Sequence, residues 1–233
     1  MKTIAVAMSV VLLVAGFGAV AQAADTELVL VMDGSGSISS GNWSTMLDGY
    51  AAAIADASIV PQDGSVSVGV VQFSTGAQIE IAMTAVTAVT APTLAAQIAA
   101  ISQINGMTDI SEGITLGETL LSDAFNGRQV IDVSTDGQHN QGGMTPLEAA
   151  MAAVDSGSAN VVNVIGIDGA SNYDFNYGPG SFNMYVSDYA GFNQAIADKI
   201  SREIGPTIPA PSALLLGSLG AGLVRFMRRR KVL

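Results

Sequence analysis

Leu28-Val29-Leu30-Val31-Met32-Asp33-Gly34-Ser35-Gly36-Ser37 is the stretch on which the reading of this chain turns. Five apolar residues run without a polar interruption and then stop at a loop of one carboxylate and two hydroxyls spaced by glycines. A strand exposed on one face alternates polar and apolar residues, so an unbroken apolar run of this length reads as a strand buried on both faces. Such a strand needs helices above and below its sheet, and a helix is the expected next element. From Trp43 onward Met46, Leu47, Tyr50, Ala51 and Ile54 recur at helical spacing, which gives one buried face that ends before Pro61.

The same alternation continues outward. Val66 to Phe73 and Gln78 to Met83 flank Ser74-Thr75-Gly76, a hairpin that places one antiparallel strand on the sheet. A helix is expected over Pro92 to Ile101 and a loop over Asn105 to Asp109. The following helix is marked by Ile110, Ile114, Gly117 and Leu121, and its Gly113 and Gly117 predict a close approach to the sheet. Gln129 to Thr135 reads as a strand ending in Asp136-Gly137, followed by a helix from Pro146 to Val154, a strand from Asn160 to Ile167 and a helix from Ala190 to Ile204. Strands separated by helices predict an α/β, doubly wound, mostly parallel sheet with one antiparallel edge strand and helices on both faces. The bland segment from Ala85 to Ala91 reads equally as loop or strand edge.

In an open parallel sheet the loops that follow the strands gather at the carboxyl edge, where ligands bind. Three polar clusters sit directly after strands or in loops at helix N-termini: Asp33 to Ser37, Gly106 to Asp109, and Thr135 to Gly137. They offer carboxylates and hydroxyls, hard oxygen ligands that suit Mg²⁺, Mn²⁺ or Ca²⁺. Asp-x-Ser-x-Ser after a hydrophobic first strand, a Thr in a later loop and Asp-Gly after a later strand resemble the metal-ion-dependent adhesion site of von Willebrand factor type A domains. The resemblance covers nearly all of residues 27–204 and implies a Rossmann-like fold. It also implies that Ser35 and Ser37 hold a divalent cation directly, with Thr108 direct or through water, while Asp33 and Asp136 anchor waters around it. One departure is Gly106-Met107, where that family often has Gly-Gly before the Thr.

Spacing excludes several other chemistries. An EF-hand would need Gly at Ile38 and Glu at Ser44. A nucleophile elbow needs Gly two residues before and two after its Ser, which neither Ser35 nor Ser37 has. A Walker loop would need Gly-Lys-Ser/Thr, and Lys199 is the only lysine between residues 24 and 205. A subtilisin-like arrangement lacks a histidine in the right order, because the single His139 follows Asp136. His139 reads as a solvated loop residue. Asp132, inside an apolar strand, must find a partner to offset its burial; Arg128 and the metal loops are both candidates. Between Ser171 and Tyr185 the aromatics Tyr173, Phe175, Tyr177, Phe182 and Tyr185 stand among Asn and Gly residues. Two readings stay open: a recognition surface, with Tyr173, Phe175 and Tyr177 touching a partner beside the metal, or a loop folded down over the core.

The two ends read as address labels. Residues 1–23 pair Lys2 with an apolar run and close on Ala21-Gln22-Ala23, a signal-peptidase pattern. Residues 206–233 contain Pro209 and Pro211, an apolar stretch and a basic end from Arg225 to Lys231. This tail resembles the PEP-CTERM sorting class, which implies membrane insertion and handling by an exosortase-like machinery, although Ala210 stands where that class usually has Glu. Residues 24–205 are then one domain. It holds all 20 acidic residues but only Arg128, Lys199 and Arg202 of the nine basic ones, a net charge of −17 that argues against nucleic acid as a partner. Cysteine is absent, so stability rests on the core or a bound ion. Two classes of function fit: a divalent-cation-dependent adhesion module that binds a protein or extracellular-matrix ligand, or a metal-assisted hydrolase. A hydrolase needs a base near the metal, and the sequence offers none, so the expectation is a non-enzymatic, exported binding or structural protein of the cell surface.

Overall fold

A computed structural model describes residues 25–123, 125–170 and 173–205. The proposed signal segment and sorting tail lie outside the described residues. Strand β1 (Thr26–Asp33) is buried along its whole length and sits in the middle of a six-stranded sheet. On one side it pairs in parallel with β2 (Asp63–Phe73), which pairs antiparallel with the edge strand β3 (Ala77–Thr87). On the other side it pairs in parallel with β4 (Arg128–Thr135), then β5 (Val161–Ile167) and the short edge strand β6 (Asn183–Val186).

The unbroken apolar run of β1 is explained by where its side chains go. Leu28, Leu30 and Met32 enter one core, beneath α1 (Ser40–Ala55), α2 (Ala91–Ala99) and α5 (Phe192–Ile204). Val29 and Val31 enter a second core on the opposite face, beneath α3 (Ile110–Glu118) and α4 (Pro146–Asp155). The sheet is therefore covered on both sides, and the doubly wound α/β architecture read from the alternation of elements is the one observed. The close approach predicted for α3 is also present. A Cβ added to Gly113 would lie 2.7 Å from the Phe73 ring and 2.9 Å from Val31, and one on Gly117 3.0 Å from Val31.

Several boundaries differ from the sequence expectation. β3 continues to Thr87, so the bland segment begins as strand and ends as a turn; Thr90 turns the chain, its hydroxyl donating to the Ala85 carbonyl at 2.6 Å, before α2 begins. A 3-10 turn (Tyr189–Gly191), capped by Asp188, precedes α5. β6 was not expected. It lies at the end of the aromatic segment, and the residues before it run back along β5 far enough for Tyr177 to bridge Val162 near the strand's amino end.

Candidate metal centre

The three polar loops meet at the carboxyl edge of the sheet, each delivered by an element whose position the parallel order fixes. Asp33 closes β1 and is fully buried. Its Oδ1 accepts from the Ser35 N–H at 2.9 Å, and its Oδ2 accepts from the Thr135 hydroxyl, at the end of neighbouring β4, at 2.6 Å. The Ser35 and Ser37 hydroxyls are 3.0 Å apart, and Ser37 donates to Asp136 Oδ1 at 2.7 Å. Thr108 is buried at the same place: a Cβ on Gly137 would lie 3.4 Å from its hydroxyl and 3.7 Å from that of Ser37. All five residues singled out from sequence, Asp33, Ser35, Ser37, Thr108 and Asp136, thus border one spot. Asp109, not Thr108, caps α3, accepting from the Glu112 N–H at 3.1 Å, so the Thr108 hydroxyl is not spent on the cap.

Electrostatically this is an acidic place without a counter-charge. Among the described residues neither Asp33 nor Asp136 belongs to an ion pair. Burial pushes the Asp33 carboxyl up to about 6, against the pull of its hydrogen bonds from Ser35 and Thr135. Burial also raises Asp136, helped by the charge of Asp168. The Tyr189 hydroxyl is close enough to feel both carboxylates, and burial together with their charges pushes its ionisation upward; it makes no hydrogen bond of ordinary geometry. One buried and one half-buried carboxylate, both raised and set among three hydroxyls, are the donor set a hard divalent cation would satisfy. No group of three or more His, Cys, Asp or Glu side chains suited to a metal occurs among the described residues. A cation held here would therefore rest largely on neutral oxygens.

A set of residues that the sequence reading missed positions the first loop. Gln72 is buried under Gly34, where a Cβ would come within 2.0 Å of its Oε1, and that oxygen accepts from the Ile104 N–H at 2.8 Å. Gln103 Nε2 donates to the carbonyls of Ser35 and Ile38, both at 2.9 Å. The Asn105 N–H reaches the Gly34 carbonyl and the Gly36 N–H reaches the Gly106 carbonyl, each at 2.9 Å. The segment from Ile104 to Gly106 therefore clamps the Asp33 to Ser37 loop by main-chain and amide bonds. Gly106 takes φ +120 and a Cβ there would meet the Thr75 hydroxyl at 2.6 Å, so glycine is required. Met107 has no such positive φ, which explains how a side chain is accommodated where the resembling family often has a second glycine. Asn140 ties the second loop to the third: its Oδ1 accepts from the Thr108 N–H and its N–H donates to the Thr108 carbonyl, both at 2.9 Å.

The other residues singled out from sequence fall elsewhere. His139 is half-buried and structural, its Nδ1 accepting from the Ile110 N–H at 3.2 Å at the start of α3. Asp132 pairs with neither Arg128 nor the metal loops; its partner is Lys199 on α5. Phe175, expected among the partner contacts, is 2% exposed and belongs to the second core, with Tyr173 and Tyr177 packed half-buried against the same core. Tyr173 lies on Gly166, where a Cβ would come within 2.6 Å of its ring, and stacks on Tyr185 at 5.3 Å. The physical reason is that β5 needs cover on this face, and these rings supply it.

This fold, a central parallel sheet with its polar loops gathered on one edge, is that of von Willebrand factor A-like domains. Pilus adhesin SpaC from Lactobacillus rhamnosus GG in its open conformation superposes with a TM-score of 0.59 at 17% identity, over 78% of this chain and 30% of that one. Proximal thread matrix protein 1 from the mussel byssus, in a structure described as having a zinc-occupied MIDAS motif, gives 0.59 at 19% over 76% and 48%. A von Willebrand factor type A protein from Catenulispora acidiphila gives 0.58 at 15% over 78% and 43%. The chain matches less than half the length of each of these three. None of the curated proteins matches the sequence. The chain belongs to the DUF1194 family, described as a protein of unknown function, whose model matches residues 23–208.

Proposed function

We propose that this protein is an exported, divalent-cation-dependent binding module of the adhesion type, not an enzyme. The observation that carries the reading is the convergence of Asp33, Ser35, Ser37, Thr108 and Asp136 at one sheet edge, with two raised carboxylates and, among the described residues, no cationic side chain paired to them. In this reading Ser35, Ser37 and Thr108 hold Mg²⁺, or Mn²⁺ or Ca²⁺, and Asp33 and Asp136 orient the hydroxyls and water around it. A cation bound mostly by neutral oxygens keeps its affinity for an anionic group and supplies the electrophilic contact for an acidic side chain of a protein or matrix ligand. Hydrolysis is disfavoured because the single histidine, His139, spends Nδ1 on the Ile110 N–H. The adhesin and byssus matrix protein of like fold support an extracellular role. The Ala21-Gln22-Ala23 pattern and the Pro-flanked basic tail support export and handling by an exosortase-like sorting machinery at the membrane.

The test is thermal melting with millimolar Mg²⁺, Mn²⁺ or Ca²⁺ against chelator, for wild type and for Ser35→Ala with Ser37→Ala. A cation that binds only the folded state at a hundred times its dissociation constant stabilises by about 2.7 kcal/mol, a rise of roughly 5–10 °C for a domain of this size. The double variant is expected to lose most of that rise. Equal rises in both proteins would refute the site. Export is tested separately by intact mass of native protein, with a mature start at Ala24 expected and full-length chain in the cytosol contradicting it.

A further inference from the structure

The second chemistry-bearing cluster of this chain lies inside the core, away from the carboxyl edge. Lys199 of α5 is fully buried, and its ammonium contacts Asp132 of β4 and donates to Glu203 Oε1 at 2.6 Å. Glu203 Oε1 also accepts from Asn163 Nδ2 of β5 at 3.0 Å, and Asn163 Oδ1 in turn accepts from the Phe182 N–H at 3.0 Å. Asp132, Asn163, Lys199 and Glu203 are all 0% exposed. The other titratable group facing them is Tyr50 of α1, which is also buried and feels the charges of Asp132 and Glu203. Arg202 points elsewhere, its guanidinium stacked 3.7 Å from the centre of the Phe182 ring.

Counting charges exposes an imbalance: two carboxyls and one ammonium are sealed from water together. A lone carboxylate buried without a counter-charge is far more costly than a neutral carboxyl. Counting hydrogen bonds exposes a matching one. Each carboxyl uses one oxygen toward Lys199, and each has one oxygen, Asp132 Oδ2 and Glu203 Oε2, with no donor. A single proton on the pair removes the excess charge and turns one of the two unpartnered oxygens into a donor.

We propose that Asp132 and Glu203 share one proton above Lys199, forming a net-neutral carboxyl–carboxylate–ammonium lock that fastens α5 to the sheet and is released by alkaline pH. Burial and the Asp132 charge raise Glu203 to about 8 even with Lys199 beside it, in keeping with a proton held at neutral pH. The sign follows from linkage. With the folded-state value above the unfolded one, the folded state holds the extra proton. Its contribution to stability is complete below about 4.5 and is lost as pH rises to about 8. Most of the change expected from Asp33 is complete near pH 6, so the interval from 6.5 to 8 isolates the lock.

The experiment is denaturant unfolding of the wild-type protein and Glu203→Gln in chelator across pH 6 to 9, with hydrogen exchange read along α5. The ratio of wild-type to variant unfolding constants is expected to rise about tenfold per pH unit up to about 8 and then level off. Amides of α5 should lose protection in wild type over the same interval. Parallel pH profiles for the two proteins would overturn the proposal. Should the variant fail to fold, carboxyl ¹³C NMR of glutamate- and aspartate-labelled wild type decides. A protonated carboxyl at pH 7 that titrates near 8 is expected, and its absence would overturn the shared proton.

Discussion

Asp33 is the residue at which site and stability meet. Raised from 3.8 to about 6 by burial, it holds its proton in the cation-free folded state more tightly than in the unfolded chain. Its contribution is therefore fully present below about 3.8 and lost as pH rises through 6, which at 1.36 kcal/mol per unit is on the order of 3 kcal/mol. A divalent cation favours the ionised form and displaces that proton. The stabilisation by saturating Mg²⁺ is thus expected to be larger at pH 7 than at pH 5, and Asp33→Asn should remove the dependence. Differential scanning calorimetry at the two pH values reads this directly, and a cation shift independent of pH would show that Asp33 is ionised throughout. At this scale the five residues that meet at the sheet edge could be picked out from short local motifs, four of them at or just after the ends of β1 and β4 and Thr108 in the loop before α3. Gln72, Gln103 and the Lys199 partner of Asp132 were not, because their bonds reach main-chain groups or side chains 30 to 70 residues away, and nothing local marks such a pairing.

At the scale of elements, the best-read features were those that a period or a glycine imposes. α3 was expected to lie close on the sheet through Gly113 and Gly117, and it does. Gly113→Ala puts a methyl group against Phe73 and Val31. Overpacking of about 1–3 kcal/mol exceeds the gain of about 1 kcal/mol in helix propensity, so the melting temperature should fall. Gly41→Ala, in α1 with no heavy atom within 4 Å of the added carbon, should raise it slightly. Similar shifts for both would mean that the α3–sheet gap is wider than described. β6 escaped the reading because four residues that alternate between exposed and half-buried, Asn183 to Val186, carry too short a pattern to separate from loop. The aromatic segment before it was ambiguous for a related reason: a ring that covers a sheet and a ring that meets a partner have the same sequence signature. Its packing now makes a definite expectation. Phe175→Ser should cost about 3–5 kcal/mol, as loss of a buried ring does, whereas Tyr185→Ser, at a ring 46% exposed, should cost far less. Denaturant melts distinguish the two, and equal small losses would return the segment to the role of a surface loop.

At the scale of the whole molecule, a net charge of −17 between residues 24 and 205 means that any cation stabilises this domain to some degree, because it relieves repulsion across the surface. That general effect has to be separated from site binding. It is screening, so it depends on ionic strength and saturates as the Debye length falls from about 10 Å at 0.1 M to 3 Å at 1 M. Site occupancy depends instead on the concentration of one ion and survives screening of distant charges. In 0.5 M NaCl, with the long-range term largely spent, millimolar Mg²⁺ is expected to retain several degrees of stabilisation in the wild-type protein and almost none in the Ser35→Ala, Ser37→Ala variant. NaCl alone should raise both proteins equally, since the substitutions leave the charge unchanged. A Mg²⁺ shift that vanishes in 0.5 M NaCl would assign the cation response to the acidic surface and leave the hydroxyl cluster without a ligand.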